Sequence, residues 1–357
     1  MDALQGFVTA VSERCALVVE EPISDLPDVA PALETFLEPA RVLLRGGKRM
    51  RAQLLALGWS AAGGTPGAAA VHAGAALELF QAAALVHDDI IDNADTRRGH
   101  PSTHIHFARR SPGDPAAHAS AAYGTHAAIL LGDLLLVLSH REMRRATAHA
   151  PDPVVVDEIW DRMTAEVAVG QYLDVRGGIE GCGGDGSVAA MDRSLQVIRH
   201  KSARYSVEHP LVLGGALAGA SPALRDALTA IGLPLGEAFQ LRDDDLGVFG
   251  DPARTGKPAG DDLIEGKCTP LVILGLEMST PDDAAFLRQS LGDRSLGPEA
   301  IERIRGFLRA SGAVSRHEEL IEGRRAEALT AIDTAPIPED IRTSLRRVAD
   351  TLTRRDT

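Results

Sequence analysis

Apolar residues recur at spacings of three and four along most of the chain, which is the pattern of helices that bury one face. Turn-forming stretches such as Gly63-Gly64-Thr65-Pro66 and Pro151-Asp152-Pro153 interrupt this pattern. No convincing run of strands separates the helical segments. The pattern predicts helices over residues 2–20, 30–45, 47–62, 67–92, 114–149, 152–176, 187–219, 221–249, 262–279, 281–291, 297–311, 313–333 and 337–354.

Composition agrees with an all-α fold. Hydrophobic residues make up 45% of the chain but aromatic residues only 4%, so the core must consist of Ala, Leu and Val, which suits closely approaching helices. The glycine-rich stretch 177–186 is expected to be a surface connection between two helices. Since no linker is long enough to separate independent domains, we expect one large helical domain over residues 1–357.

Charge and cysteine content narrow the range of partners and compartments. The net charge of −13 makes non-specific binding to nucleic acid unfavourable. Three cysteines stand far apart, so we expect neither a disulfide framework nor a structural zinc site, and a reducing compartment such as the cytoplasm. The chain begins without a basic leader, and its most apolar stretch, 127–138, is short and contains Asp133, so no membrane span is expected.

An acidic cluster, Asp88-Asp89-Ile90-Ile91-Asp92, ends the helix predicted over 67–92. Asp88 and Asp92 share one helix face, whereas Asp89 points roughly 100° away. Like charges at this spacing, at the negative end of a helix, are unfavourable unless a cation binds there. A hard, oxygen-preferring ion such as Mg²⁺ suits such a site, although a solvated acidic helix end would give the same pattern.

A second acidic cluster, Asp243-Asp244-Asp245, follows Phe239-Gln240-Leu241-Arg242. The position four residues after Asp243 is Gly247, so this cluster lacks the carboxylate pair of the first, and we expect one metal ligand, Asp243. Taken alone, it could also be an acidic helix end. Two helix-borne clusters in one chain favour a metal site.

Basic residues accompany both acidic clusters. Lys48 and Arg51 share a face at the start of a predicted helix, after two glycines that let the backbone approach a ligand. Each basic group alone is typical of a solvated turn, and His87, His104 and His106 are interpreted as structural. Carboxylates that bind Mg²⁺, combined with Lys and Arg, can neutralise a buried diphosphate, so the set indicates a diphosphate site. The basic groups are Gly46-Gly47-Lys48-Arg49-Met50-Arg51, Arg97-Arg98-Gly99-His100-Pro101, Thr255-Gly256-Lys257-Pro258 and Gly266-Lys267.

Over nearly its whole length the sequence resembles the trans-isoprenyl diphosphate synthases of the polyprenyl synthetase family, most of all the bacterial geranylgeranyl diphosphate synthases. The two acidic clusters and the basic groups occur in family order. Further matches are Leu85-Val86-His87 before Asp88, Gly132-Asp133-Leu134-Leu135, Gly170-Gln171, Lys201-Ser202-Ala203, Phe239-Gln240 and Asp262 to Lys267.

The resemblance implies head-to-tail condensation of isopentenyl diphosphate with an allylic diphosphate by a homodimer, each chain being a helical bundle around a central apolar cavity. Three Mg²⁺ per active site would be held by Asp88, Asp92 and Asp243, with Asp89 and Asp244 in support. The allylic diphosphate would be contacted by Arg97, Lys201, Gln240, Lys257 and Lys267, and isopentenyl diphosphate by Lys48, Arg51, Gln81 and Arg98. Ser202 replaces the usual threonine of the substrate site and keeps its hydroxyl.

Two positions depart from the family pattern. Gly247 stands in place of the usual last aspartate of the second cluster, which removes one metal ligand from that helix. Gln81 stands where many bacterial members have histidine, and either side chain can donate a hydrogen bond to phosphate.

The helix before Asp88 is expected to line the product tunnel. In the family, aromatic residues four or five positions before the first aspartate stop growth at fifteen carbons, and these positions are Ala84 and Ala83 here. Phe80, about two turns below the metal site, is the next bulky candidate. We therefore expect geranylgeranyl diphosphate or a longer product.

Two alternatives belong to other classes of function. A class I terpene cyclase also uses an aspartate-rich helix and Mg²⁺, but it would leave Lys48, Arg51 and Arg98 without a second substrate to bind. A catalytically silent regulatory subunit would not need Asp88 and Asp92 together with the basic residues that follow them.

Overall fold

The computed structural model describes residues 2–110, 117–182, 187–250 and 260–354, and within them it confirms the all-α prediction. The first half contains α1 (Asp2–Asp25), a 3₁₀ turn (Pro27–Val29), α2 (Ala30–Leu43), α3 (Met50–Ala61), α4 (Ala68–Ile91), α5 (Thr103–Arg109), α6 (Ala117–Thr147) and α7 (Pro153–Glu180). A two-stranded antiparallel ribbon, β1 (Thr96–Arg97) and β2 (His100–Pro101), lies between α4 and α5.

The second half continues the helical pattern. Its elements are α8 (Ser187–Val197), a π-helix (Ile198–Glu208), α9 (His209–Leu217), α10 (Pro222–Phe249), α11 (Asp261–Glu265), α12 (Pro270–Met278), α13 (Pro281–Ser290), α14 (Pro298–Ala310), α15 (Ala313–Thr334) and α16 (Glu339–Thr353). The contacts of the chain divide it into two compact units. The first unit is Met1–Asp157 with Leu213–Ala220, and the second unit is Glu158–Val212 with Ser221–Thr357.

The first unit is organised around α4, which packs against α1, α3, α5 and α6. Small residues allow this close packing, since a β-carbon at Gly74 would lie 2.8 Å from Val11 Cγ2. On α6, a β-carbon at Gly132 would lie 2.2 Å from His87 Nε2, so the His87 ring occupies the notch that this glycine leaves. This agrees with the interpretation of His87 as a structural residue. Close packing of this kind fixes the rotation of α4 and therefore the direction in which its acidic end points.

The second unit is organised around α10, which packs against the π-helix and α15. A β-carbon at Gly170 of α7 would lie 2.3 Å from Lys201 N. Similarly, a β-carbon at Gly236 of α10 would lie 2.3 Å from Ala203 O, and one at Gly232 would lie 2.5 Å from Glu208 Cα. Glycine is required at these positions because backbone meets backbone. The π-helix is thereby held closely on two sides, and π-helical turns are often found at functional sites.

The expectation of no disulfide is wrong. Cys182, just after α7, forms a disulfide bond with Cys268, just before α12, and their Cα atoms are 5.3 Å apart. The two cysteines are separated by 86 positions in the sequence, so their pairing depends on the fold and could not be predicted from the spacing along the chain. Cys15 is a buried free thiol.

Two helical stretches are long and apolar enough to cross a membrane by length and composition. The 24-residue α4 is 67% buried over its most apolar window, as expected for a core helix. Residues Ser120–Thr147 of α6 are only 39% buried over the corresponding window. α6 therefore presents an apolar face that the described part of the chain leaves uncovered.

Candidate active site

The end of α4 carries the first pair of predicted metal ligands. The backbone N–H of Asp92 donates to Asp88 O at 2.8 Å, so the last turn of the helix is intact as far as Asp92. The chain then leaves the helix through Asn93, whose φ is +51°. The Asp88 side chain is 20% exposed, and Asp92 is likewise partly exposed. The two carboxylates thus lie one turn apart with access to solvent.

Asp89 differs from its neighbours because its side chain is only 1% exposed. Arg97 Nε donates to Asp89 Oδ1 at 2.8 Å, and Arg97 Nη2 lies 3.3 Å from Asp88 Oδ2. The β1–β2 ribbon that carries Arg97 is therefore folded back onto the end of α4. A charge-assisted hydrogen bond of this kind anchors the ribbon while Asp88 keeps part of its surface open.

The turn of the ribbon places Arg98 beside the glycine loop that precedes α3. Arg98 and Gly99 both have positive φ, of 52° and 77°, as a tight hairpin turn requires. A β-carbon at Gly47 would lie 3.8 Å from Arg98 Nη1, so the loop containing Lys48 lies next to this guanidinium. The pKa of Arg98 is lowered by desolvation of the guanidinium and by the nearby charge of Arg97. The first unit therefore gathers several cations close to the acidic end of α4.

Gln81 and the predicted length-determining residues lie on α4 itself. Gln81 is about two turns, roughly 10 Å, before Asp88. Its Oε1 is buried and has no hydrogen-bond partner within the described ranges. Phe80 is 4% exposed and Ala83 is fully buried, whereas Ala84 is partly exposed. Of these three apolar residues, Ala84 borders open space and shares a face with Phe80 one turn away.

In the second cluster only Asp243 is exposed. Asp244 is 6% exposed and accepts a hydrogen bond of 2.9 Å from Gln240 Nε2, while Ser202 Oγ donates to Gln240 Oε1. Burial and the neighbouring charge of Asp262 raise the pKa of Asp244 well above its usual range. Asp245 is also buried and lies 3.2 Å from Arg242 Nη1. Asp243 is thus the carboxylate of this cluster that has access to solvent, and its role as a metal ligand stays a prediction.

The predicted lysines of the second unit have carboxylate partners. Lys201, in the π-helix, donates to Asp174 Oδ2 of α7 at 2.5 Å. Lys267 contacts Glu265 and lies 3.8 Å from Asp262 Oδ1. The remaining predicted ligand, Lys257, lies outside the described residues.

Sequence reasoning missed what fills the space beside Gly247. A β-carbon at this position would lie 2.0 Å from Asp262 Oδ2, so the carboxylate from α11 occupies the volume that a side chain at 247 would need. Asp262 is only 7% exposed and lies close enough to Asp244 to influence its pKa. The missing aspartate of the second cluster is thus matched by a carboxylate from the following short helix. The only indication in the sequence was the glycine at the position of the expected aspartate, since Asp262 lies 15 residues later.

The donor set suits a cation that receives part of its coordination from a substrate. Among the residues that the structure describes, no group of three or more His, Cys, Asp or Glu side chains comes together as a complete metal site. Asp88 and Asp92 offer a pair of carboxylates, and Asp243 offers one more in its own unit. Mg²⁺ is commonly bound by one or two carboxylates together with substrate phosphates and water, so these residues fit this ion.

Comparison with known proteins agrees with this geometry. A solved structure of geranylgeranyl pyrophosphate synthase from Corynebacterium glutamicum, complexed with isoprenyl diphosphate and magnesium, superposes with a TM-score of 0.89 at 35% identity and covers 99% of both chains. The short chain isoprenyl diphosphate synthase of Methanothermobacter thermautotrophicus is 30% identical, over 100% of this chain and 98% of its own. The geranylgeranyl diphosphate synthase of Sulfolobus acidocaldarius is 32% identical, over 72% of this chain and 71% of its own.

These matches favour prenyl chain synthesis and give no support to the terpene cyclase alternative. The family model for polyprenyl synthetases matches residues 33–307, which include both acidic clusters and all the basic groups. The chain therefore belongs to the polyprenyl synthetase family and is a trans-prenyl diphosphate synthase.

Proposed function

We propose that this chain condenses isopentenyl diphosphate with an allylic diphosphate and that its product is geranylgeranyl diphosphate or a longer prenyl diphosphate. The assignment of two diphosphate sites rests on the position of the Gly47 loop beside Arg98, since a β-carbon at Gly47 would lie 3.8 Å from Arg98 Nη1. Both lie near the end of α4, which carries two carboxylates. One diphosphate would not require both the carboxylate pair and a separate group of cations on the same unit.

The metal ligands in this proposal are Asp88, Asp92 and Asp243, for three Mg²⁺ per active site. Asp89 and Asp244 would support them from behind, since both are buried and hydrogen-bonded. When bound, Mg²⁺ neutralises the allylic diphosphate and makes it a better leaving group. The remaining contacts to this diphosphate would come from Arg97, Lys201, Gln240, Lys257 and Lys267, with Ser202 orienting Gln240 through its hydrogen bond.

Isopentenyl diphosphate would be bound by Lys48, Arg51, Gln81 and Arg98. Arg97 is tied to Asp88 and Asp89, so it lies between the acidic end of α4 and Arg98 on the same ribbon. The proposed contacts to isopentenyl diphosphate therefore adjoin the end of α4 that carries the carboxylate pair. The carbon chains of isopentenyl diphosphate and the allylic diphosphate would then be oriented for bond formation.

The reaction follows from this orientation. The allylic C–O bond breaks, the diphosphate departs with the electron pair, and the double bond of isopentenyl diphosphate attacks the allylic cation. The proton lost from the new product is accepted by an oxygen of the departing diphosphate. Buried apolar residues of α4, such as Phe80 and Ala83, would keep water from the cation.

We also propose that the chain is a homodimer with no membrane span. Tyr123, Leu130 and Val137 recur at seven-residue intervals on α6 and are 38%, 60% and 65% exposed, a spacing typical of helix pairing. A second copy would cover this face and account for its low burial. Replacing Leu130 and Val137 with glutamate should yield monomers in light scattering, and a dimer that persists would refute this interface.

A single domain over residues 1–357 and a cytoplasmic location stay predictions, and the Cys182–Cys268 disulfide removes the cysteine-based reason for a reducing compartment. The coverage of 99% of both chains in the Corynebacterium match supports a single domain over the whole chain. Cell fractionation tests the location.

The test of the function uses purified chain, a labelled isopentenyl diphosphate and a C10 or C15 allylic diphosphate. We expect Mg²⁺-dependent transfer of label into a longer prenyl diphosphate, with chelation abolishing turnover. Asp88→Asn should reduce kcat at least a hundredfold, since it removes a charge that stabilises the transition state. Release of a hydrocarbon without isopentenyl diphosphate would indicate a cyclase, and absence of turnover by the folded chain would indicate a regulatory subunit.

A further inference from the structure

Arg49, inside the loop that carries Lys48 and Arg51, faces inward rather than toward substrate. It is 5% exposed and its φ is +50°, an uncommon backbone conformation for a residue with a side chain. A buried guanidinium is unfavourable unless it is paired and hydrogen-bonded. Its partners therefore decide where this part of the loop lies.

The Arg49 side chain links three helices of the first unit. Nε donates to Ser12 Oγ of α1 at 3.1 Å, and Nη2 donates to Leu44 O just after α2. Nη1 lies 3.3 Å from Glu78 Oε2 of α4, which gives the guanidinium its charged partner. The loop is consequently tied to the same helix that presents Gln81 and Asp88.

Glu78 lies among several cations. It is 8% exposed, it lies three residues before Gln81 on α4, and its charge acts on Arg98 as well as on Arg49. Its second oxygen, Oε1, is buried and has no hydrogen-bond partner within the described ranges, so the carboxylate can still accept a bond from a further donor. Glu78 thus offsets part of the repulsion between Arg49 and Arg98.

We propose that Glu78 is a positioning residue for isopentenyl diphosphate, acting through its ion pair with Arg49. The pair fixes the loop so that Lys48 and Arg51 point toward the diphosphate instead of turning away from Arg98. This inference rests on the proposed assignment of Lys48 and Arg51 to that substrate. Loss of the pair should weaken binding of isopentenyl diphosphate and leave ionisation of the allylic diphosphate intact.

The test measures initial rates with each substrate varied in turn. Glu78→Gln, which keeps the shape but removes the charge, should raise the KM for isopentenyl diphosphate about tenfold while kcat and the allylic KM change less than about twofold. Glu78→Asp keeps the charge but moves it away from Arg49 by the length of one methylene group, so it should raise the same KM about threefold. It serves as the second variant if Glu78→Gln fails to fold.

Two further variants separate the possible failures. Glu142→Gln removes another buried carboxylate that is paired with an arginine of the first unit, so it controls for general loss of stability and should leave the KM for isopentenyl diphosphate unchanged. Lys48→Ala should raise that KM if the proposed substrate site is right. A raised KM in Lys48→Ala with no change in either Glu78 variant would overturn the positioning role alone. No change in Lys48→Ala would overturn the substrate assignment and the positioning role with it.

Discussion

The Cys182–Cys268 disulfide should contribute substantially to the stability of the second unit. The bond closes a loop of 86 residues in sequence separation. In the chain-entropy model, a loop of this length reduces the entropy of the unfolded chain by about 15 cal/mol/K, or about 4.5 kcal/mol at 25 °C. Since each kcal/mol changes the melting temperature of a unit of this size by about 2–4 °C, reduction should lower it by about 9–18 °C.

The assay is thermal unfolding of the wild-type chain with and without dithiothreitol, together with Cys182→Ser, Cys268→Ser and the double variant. All three variants should melt at the temperature of the reduced wild type and should not respond to the reductant, because each lacks the same single bond. Cys15→Ala is the matched control, since it removes the buried free thiol and should retain the full response to reduction.

Thiol titration in denaturant checks the covalent state independently. The unreduced chain should give one thiol, from Cys15, and the reduced chain three. If the titration shows that the bond has been reduced and the melting temperature still changes by less than about 2 °C, the entropic reasoning is refuted.

Three further predictions concern charge, packing and product length. Glu142 is fully buried, and although burial alone raises its pKa, hydrogen bonds from Arg14 and His72 lower it to about 2. The ionised carboxylate should therefore stabilise the fold by about 3 kcal/mol above about pH 4.5, and this stabilisation should be lost toward pH 2. The melting temperature of Glu142→Gln should depend less on pH over this range than that of the wild type, and equal pH dependence would contradict the reasoning. Gly247→Ala should displace Asp262 and lower kcat about tenfold, and it should add little to Asp262→Ala, because both changes disturb the same carboxylate; additive losses would show that the two residues act separately. Ala84→Phe should shorten the product by at least one isoprene unit in mass spectrometry, and an unchanged product would show that this face of α4 does not limit growth.

Most of the helices could be predicted because burial of one face leaves a periodic record in the sequence. Boundaries were less accurate, since α1 continues through Pro22 to Asp25 instead of ending at residue 20. The π-helix could not be distinguished from an α-helix by apolar spacing. The glycines that pack against it lie on other helices, α7 and α10, so they leave no mark in the sequence of the π-helix itself. Pairings across the chain, such as that of the two cysteines, depend on the folded structure and leave no local pattern.

The same limit applies to the candidate site. Asp88 and Asp92 could be predicted as a pair because four-residue spacing on a helix fixes their geometry. The inward direction of Asp89 toward Arg97 fits that spacing as well. In contrast, the burial of Arg49 and its ion pair with Glu78 depend on the packing of a loop against α4, which motif spacing does not record.

Within the ranges that the structure describes, three non-glycine residues have positive φ, and all three lie in the loop before α3 or in the segment that follows the acidic end of α4. They are Arg49, Asn93 and Arg98. Each such conformation costs about 1–3 kcal/mol, which the surrounding contacts must offset. Directed evolution for heat resistance would therefore favour glycine at Arg98, where the substitution removes a guanidinium proposed to bind substrate. It would not favour glycine at Arg49, where the buried Glu78 carboxylate would lose its charged partner. At Arg98, a change that relieves backbone strain would raise thermal stability and lower the turnover rate.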